Sequence, residues 1–195
     1  MSLAHMSQAH GERFEEIRIF CYKSSMNGFW QEKFYNPTKG MLSAEQVLEE
    51  MESYMEERPE MSYEVIVGCD SASTAEPYFP VVVAVLRKGE GGRYFLKRTR
   101  YSEDFNKRFV NWRNRILQEI LLSCDLALSL RELLEDRLKG QNLSYEFNYI
   151  HADIGEKGAT KNMVKELTGL IRGNGFEPKI KPEACIASVV AHRYS

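Results

Sequence analysis

The sequence predicts an α/β fold, a mixed β-sheet with helices on both faces. Three observations carry that expectation. Runs rich in β-branched and aromatic residues alternate with stretches of helical periodicity along most of the 195 residues. The first three strand-like runs are joined by short turn-forming connections, as in hairpins. The later runs are separated by helix-length segments, which parallel strands require. Hydrophobic residues make up 43% and charged residues 28%, enough apolar surface for one domain with a full core. No apolar run approaches the ~20 residues of a membrane span.

The elements follow in order. The first dozen residues lack a basic start and an apolar centre, so they read as a flexible leader (1–13) and not as a secretory signal. His5 and His10 are therefore left out of any site. Residues 14–62 read as an N-terminal extension. Its first part, to about residue 42, mixes aromatics with Asn-Gly and Asn-Pro turn signals and is expected to cover the core, with a short strand at Ile17 to Tyr22. A helix then starts at Ser43, which forms a capping-box pattern with Gln46. Val47, Leu48, Met51, Tyr54 and Met55 recur at helical spacing, and Pro59 ends it.

The main domain is expected over 63–195. Glu64 to Asp70 is its first strand. Tyr78 to Arg87 and Arg93 to Tyr101 make a hairpin about Lys-Gly-Glu-Gly-Gly, and Tyr94, Leu96 and Arg98 share one alternating face. One long helical stretch covers about Glu103 to Leu138 and stops at Lys139-Gly140. Tyr145 to Asp153 is the next strand. A helix of about 160–172 follows, then a short strand at Phe176 to Ile180, then a small-residue helix opened by Pro182-Glu183.

Charge is segregated although the net value is only −2. Residues 45–64 hold eight acids against Arg58 alone, and 87–115 hold ten bases against three acids. The acids belong on the outer face of the first helix. The bases permit a local phosphate-binding surface, or form a solvated face. Cys21, Cys69, Cys124 and Cys185 contain no Cys-x-x-Cys pair, which argues against a zinc site and for reduced thiols in a cytoplasmic protein.

The chemistry lies in strand ends. Val-Ile-Val-Gly-Cys-Asp-Ser climbs through apolar residues to Asp70, and Tyr-Ile-His-Ala-Asp does the same to Asp153. If these strands are adjacent and parallel, both carboxylates emerge at one edge, where sites form in sheets with helical crossovers. Two neighbouring carboxylates repel unless a cation intervenes. Their hard oxygens select magnesium or manganese over zinc. At about 100° per residue, Glu119 falls within about 20° of Trp112 and Leu130 on the helix face expected to meet the sheet. It is the third candidate ligand, with an edge-of-core ion pair as the plain alternative. The last helix offers a fourth site residue, either Glu183 at its start, where the helix dipole favours an acid, or His192.

The order β-β-β-α-β-α-β-α and these acids resemble the ribonuclease H-like superfamily. More closely, the chain resembles the YkuK family of ribonuclease H-like proteins, through Phe-Tyr-Asn (34–36), Val-Gly-Cys-Asp-Ser (67–71), His-Ala-Asp-Ile-Gly (151–155), Lys-Ile-Lys-Pro-Glu (179–183) and Ala-Ser-Val-Val-Ala-His-Arg-Tyr (187–194). The resemblance covers roughly residues 30–195. It implies a five-stranded mixed sheet in the order 3-2-1-4-5. It also implies nuclease chemistry on nucleic acid with two Mg2+ or Mn2+ ions roughly 4 Å apart. Asp70 would then bridge both ions, and Glu119 and Asp153 would complete the shells. Glu183 or His192 would assist the attacking water or product release. Basic residues near the second and third strands, with Lys157 and Lys161, would hold the phosphate backbone.

Two other readings stand beside this one. A nucleic-acid-binding module without catalysis needs the same surface and no ions. Asp-Ile-Gly-Glu-Lys-Gly-Ala-Thr (153–160) resembles the phosphate loop of actin-like ATPases, which would make Thr160 and a helix N-terminus an anion site. The plainer account of that loop is a tight turn with Thr160 as N-cap.

Overall fold

The computed structural model describes residues 31, 33–72, 78–158 and 160–184. Among these, seven strands form one mixed sheet: β1 (Lys33–Asn36), β2 (Gly40–Ser43), β3 (Ser62–Cys69), β4 (Phe79–Arg87), β5 (Gly91–Thr99), β6 (Ser144–Ala152) and β7 (Glu177–Lys179). Across the sheet they run β2-β1-β5-β4-β3-β6-β7. The helices are α1 (Ala44–Glu56), α2 (Glu103–Asn106), α3 (Trp112–Arg137) and α4 (Val164–Gly173). Single 3-10 turns occupy Lys107–Val110 and Lys161–Met163.

The expected sheet of five strands in the order 3-2-1-4-5 is therefore corrected to seven. The extra pair comes from the stretch expected merely to cover the core. Asn36 explains why it becomes a hairpin. Its Oδ1 accepts the Thr38 and Lys39 N–H groups, each at 2.9 Å, closing the turn from within. Its Nδ2 donates to Tyr94 O at 2.9 Å, tying that turn to β5. Phe34 is fully buried beneath, and Tyr35 pairs with Leu96 across the ladder. Two four-residue strands are too short for alternation to reveal.

The long helical stretch is also interrupted. Asn111 adopts φ −75° and ψ 110°, outside helical space, and its side chain accepts the Arg113 N–H at 3.0 Å to cap α3. Phe109 packs edge-on against Phe79, ring centroids 4.8 Å apart, and so draws the preceding turn onto the end of the sheet.

One core unites α1, α3 and α4 with one face of the sheet. Val47, Met51 and Met55 of α1, Leu130 and Leu134 of α3, and Leu167 and Ile171 of α4 join Val65, Val67, Val83 and Phe95. The opposite face buries Ile66, Val82, Ala84 and Leu96 against strand residues alone, so among the described residues the helices lie on one face where helices on both were expected. The helix expected from Pro182 onward lies outside the described residues beyond Ala184, as does the strand expected at 17–22.

The capping box of α1 forms: Ser43 Oγ accepts the Gln46 N–H at 3.2 Å, and Gln46 Oε1 accepts the Ser43 N–H at 2.8 Å. Its acids are only partly solvated. Arg93 Nη1 reaches Glu50 at 3.1 Å and its Nη2 binds Glu57, Arg87 reaches Glu57 at 3.2 Å, and Arg137 binds Glu45 and Glu52. The opposed charge segments thus meet in part across α1, β4 and β5. Arg87 and Arg93 serve that contact and not an outside phosphate.

Candidate functional site

β3 and β6 are adjacent and parallel, and the Cα register pairs Cys69 with Ala152. Asp70 and Asp153 are each the next residue. They leave neighbouring strands at one edge, where chain spacing is about 4.8 Å. The antiparallel β4 begins at this edge, pairing Val81 with Cys69, and β5 ends there, pairing Thr99 with Phe79.

Glu119 approaches from α3. It is buried, and so are Ser123 and Leu130 on the same stripe. Its Oε1 accepts two hydrogen bonds from one residue, the Ser71 N–H at 3.0 Å and the Ser71 hydroxyl at 2.5 Å. The partner is the strand end beside Asp70, so Glu119, the third candidate ligand, is held by the backbone and hydroxyl of Ser71. Burial pushes the Glu119 carboxyl up to about 7, against the Ser71 donors; the Asp70 charge pushes the same way and Arg115 opposes. The Cys69 thiol is raised by burial and then by the charges of Glu119 and Asp70. These three groups share one electrostatic neighbourhood.

Asp153 meets a cation already. Lys181 Nζ lies 2.9 Å from its Oδ1. That oxygen is buried yet accepts no aligned hydrogen bond among the described residues, so the contact is an ion pair without hydrogen-bond geometry. His151 sits between Gly68 and Lys179 in the ladders, nearly inaccessible to water. Burial, then the Lys179 charge, lower its imidazole to about 4, against a smaller pull from Glu64.

The structure thus brings Asp70, Asp153 and Glu119 to one edge. Glu183 stands on the exposed turn after β7, its N–H donating to Ile180 O at 2.8 Å. His192 lies outside the described residues. Among the described residues, no three His, Cys, Asp or Glu side chains stand close enough together to ligate one ion. Thr160 does not cap the turn that follows it. Its hydroxyl donates to Gly155 O at 3.2 Å and receives the Gly155 N–H at 3.1 Å. The Thr160 hydroxyl, one of the two groups expected to face a phosphate, is thereby engaged by Gly155.

Sequence reading passed over Ser71 and Lys181. Ser71 was in view as the residue after Asp70, where a hydroxyl with an adjacent N–H suits a carboxylate. Lys181 lies in the quoted stretch Lys-Ile-Lys-Pro-Glu, but nothing in its composition points to a pairing with Asp153, since a lysine near a proline is ordinary surface composition.

The Ribonuclease H-like family model matches residues 46–195, a span that takes in most of α1, β3 to β7 and the whole carboxylate edge. The chain belongs to the ribonuclease H-like family. It is also similar to the Uncharacterized protein YkuK of Bacillus subtilis (strain 168), 28% identical over 172 residues. That alignment covers 83% of this chain and 96% of the relative. No solved structure matches. In this ribonuclease H-like chain Phe-Tyr-Asn lies in β1, whose Asn36 closes the turn to β2, while Cys-Asp-Ser and His-Ala-Asp end the two central parallel strands. No helix among the described residues is long and apolar enough to cross a membrane.

Proposed function

We propose that this chain is a divalent-metal-dependent nuclease that hydrolyses phosphodiester bonds, with Asp70, Asp153 and Glu119 as oxygen donors for two Mg2+ or Mn2+ ions. One observation carries it: Asp70 and Asp153 directly follow the paired residues Cys69 and Ala152, and Glu119 is held to the same strand end by Ser71. The donor set fits the ions. All three groups are carboxylates, and Asp153 Oδ1 is a buried oxygen without an aligned donor. When bound, such ions activate a water and stabilise the leaving 3′ oxygen.

The chain's own residues do the rest. Ser71 orients Glu119 towards the strand ends. Arg98 and Arg100, exposed and each 5.7 Å over the Tyr78 ring, stand at the same edge, as do exposed Lys157 and Lys161 beyond β6. Guanidinium planes backed by a ring suit the phosphates and bases of a nucleic acid. Glu183 on the neighbouring turn is the candidate for handling the water's proton, with His192 as the alternative.

The test is cleavage of end-labelled DNA, RNA and hybrid strands in EDTA, Mg2+ and Mn2+. Ion-dependent cleavage is expected, and Asp70→Asn and Asp153→Asn abolish it while the metal-free melting temperature stays level or rises. A marked drop in melting temperature would assign the aspartates a structural role. A second reading, a binding module without catalysis, draws on the Lys181–Asp153 pair and the absence of a closed three-ligand group among the described residues. Nucleic-acid binding with no cleavage in Mn2+ would select it.

A further inference from the structure

Lys181 lies in the turn after β7, and the backbone fixes it there. Its N–H donates to Ile154 O at 2.9 Å, and the Ala184 N–H returns to Ile180 O at 3.1 Å. Its Cβ would stand 3.4 Å from a Cβ placed on Gly155. The residue is therefore strapped to the very segment that carries Asp153. From that anchorage Nζ comes within 2.9 Å of Asp153 Oδ1, although the Lys181 side chain is 57% exposed and that of Asp153 only 20%. A lysine so accessible would keep its ammonium in water unless a local negative potential drew it in. The potential has a source: Asp153 emerges beside Asp70, and Glu119 is close enough to feel the Asp70 charge.

On the metal-dependent reading a divalent ion needs a carboxylate oxygen of Asp153, at about 2 Å for magnesium, and Oδ1 is the buried oxygen that Lys181 covers. An ammonium at its present place and a metal ion on Oδ1 exclude one another by charge and by space. We infer that Lys181 is a built-in counter-cation of Asp153, which neutralises the carboxylate edge when no metal is bound and competes with the divalent ion for Oδ1, so setting its affinity. The inference rests on the metal-dependent reading above. It assigns Lys181 a positioning role, since it touches a ligand and not the reacting atoms.

The experiment uses the full chain, with Lys181→Met (K181M), which keeps the aliphatic stem and loses the charge, and Lys181→Arg (K181R), which keeps the charge. Manganese binding is followed by calorimetry, and melting by circular dichroism in EDTA and in saturating Mn2+. K181M is expected to bind Mn2+ roughly three- to tenfold more tightly than wild type. It should melt below wild type in EDTA, with the gap closing in Mn2+. K181R should stay within about twofold of wild-type affinity. If wild type binds Mn2+ and K181M binds it no more tightly, Lys181 does not compete and the inference falls alone. If wild type takes up no Mn2+ at millimolar concentration, the metal-dependent reading falls and takes this inference with it. Should K181M fold poorly, Lys181→Gln carries the same comparison.

Discussion

Glu119 is a carboxyl group that water barely reaches, held by two donors from one serine and close to a second acid. Its position near 7 has a sign consequence for stability. In the unfolded chain it titrates near 4.5, so between about 4.5 and 7 the folded state binds the extra proton. The contribution is present below pH 4.5 and is lost as pH rises through 7, by about 3 kcal/mol at most. His151 acts oppositely. Its folded value near 4 lies below the usual 6.5, so its contribution is present above 6.5 and is lost as pH falls towards 4. In EDTA, above about pH 6.5, where the His151 contribution no longer changes, the melting temperature should decline in wild type as pH rises through 7 and stay flatter in Glu119→Gln, read by circular dichroism. Ser71→Ala removes one of the two donors and should destabilise by about 1–2 kcal/mol. A double-mutant cycle with Glu119→Gln should return a coupling near 1 kcal/mol; additive losses would mean that the hydroxyl does not serve Glu119.

At the scale of elements, the β1–β2 hairpin depends on one buried side chain. Asn36 closes the turn and grips β5 through three hydrogen bonds. Asn36→Ala should cost about 2 kcal/mol, and hydrogen exchange should quicken in residues 33–43 and at Tyr94 before the central strands respond. The cap of α3 is separable from the site. Asn111→Ala should cost about 1 kcal/mol in denaturant melts while the metal affinity is unchanged. The acidic face of α1 was readable as a charge pattern, but its partners were not. Arg93 lies 43 residues from Glu50, and Arg137 lies 92 from Glu45, so only the fold brings them into reach.

Over the whole molecule, three helices and one sheet face share a single core. Leu130, fully buried at its centre, should report on all of it. Leu130→Ala is expected to lose roughly 2–5 kcal/mol. Urea transitions followed by tryptophan fluorescence and by circular dichroism should still coincide, because no part of that core is independent. Separate transitions would show that the α1 hairpin unit folds apart from the rest.

Local signals settled much of this protein. The Ser43–Gln46 capping box, the β4–β5 hairpin and the strands that end at Asp70 and Asp153 all depend on neighbours in sequence, and each could be read there. The stripe that buries Glu119 was legible because helical periodicity is a local property. Tertiary structure decided the rest. The edge position of β1 and β2 depends on pairing with β5, and the Glu119–Ser71 clamp and the Lys181–Asp153 pair depend on strand register. Periodicity tells which way a side chain faces; only the register of distant strands tells what it meets.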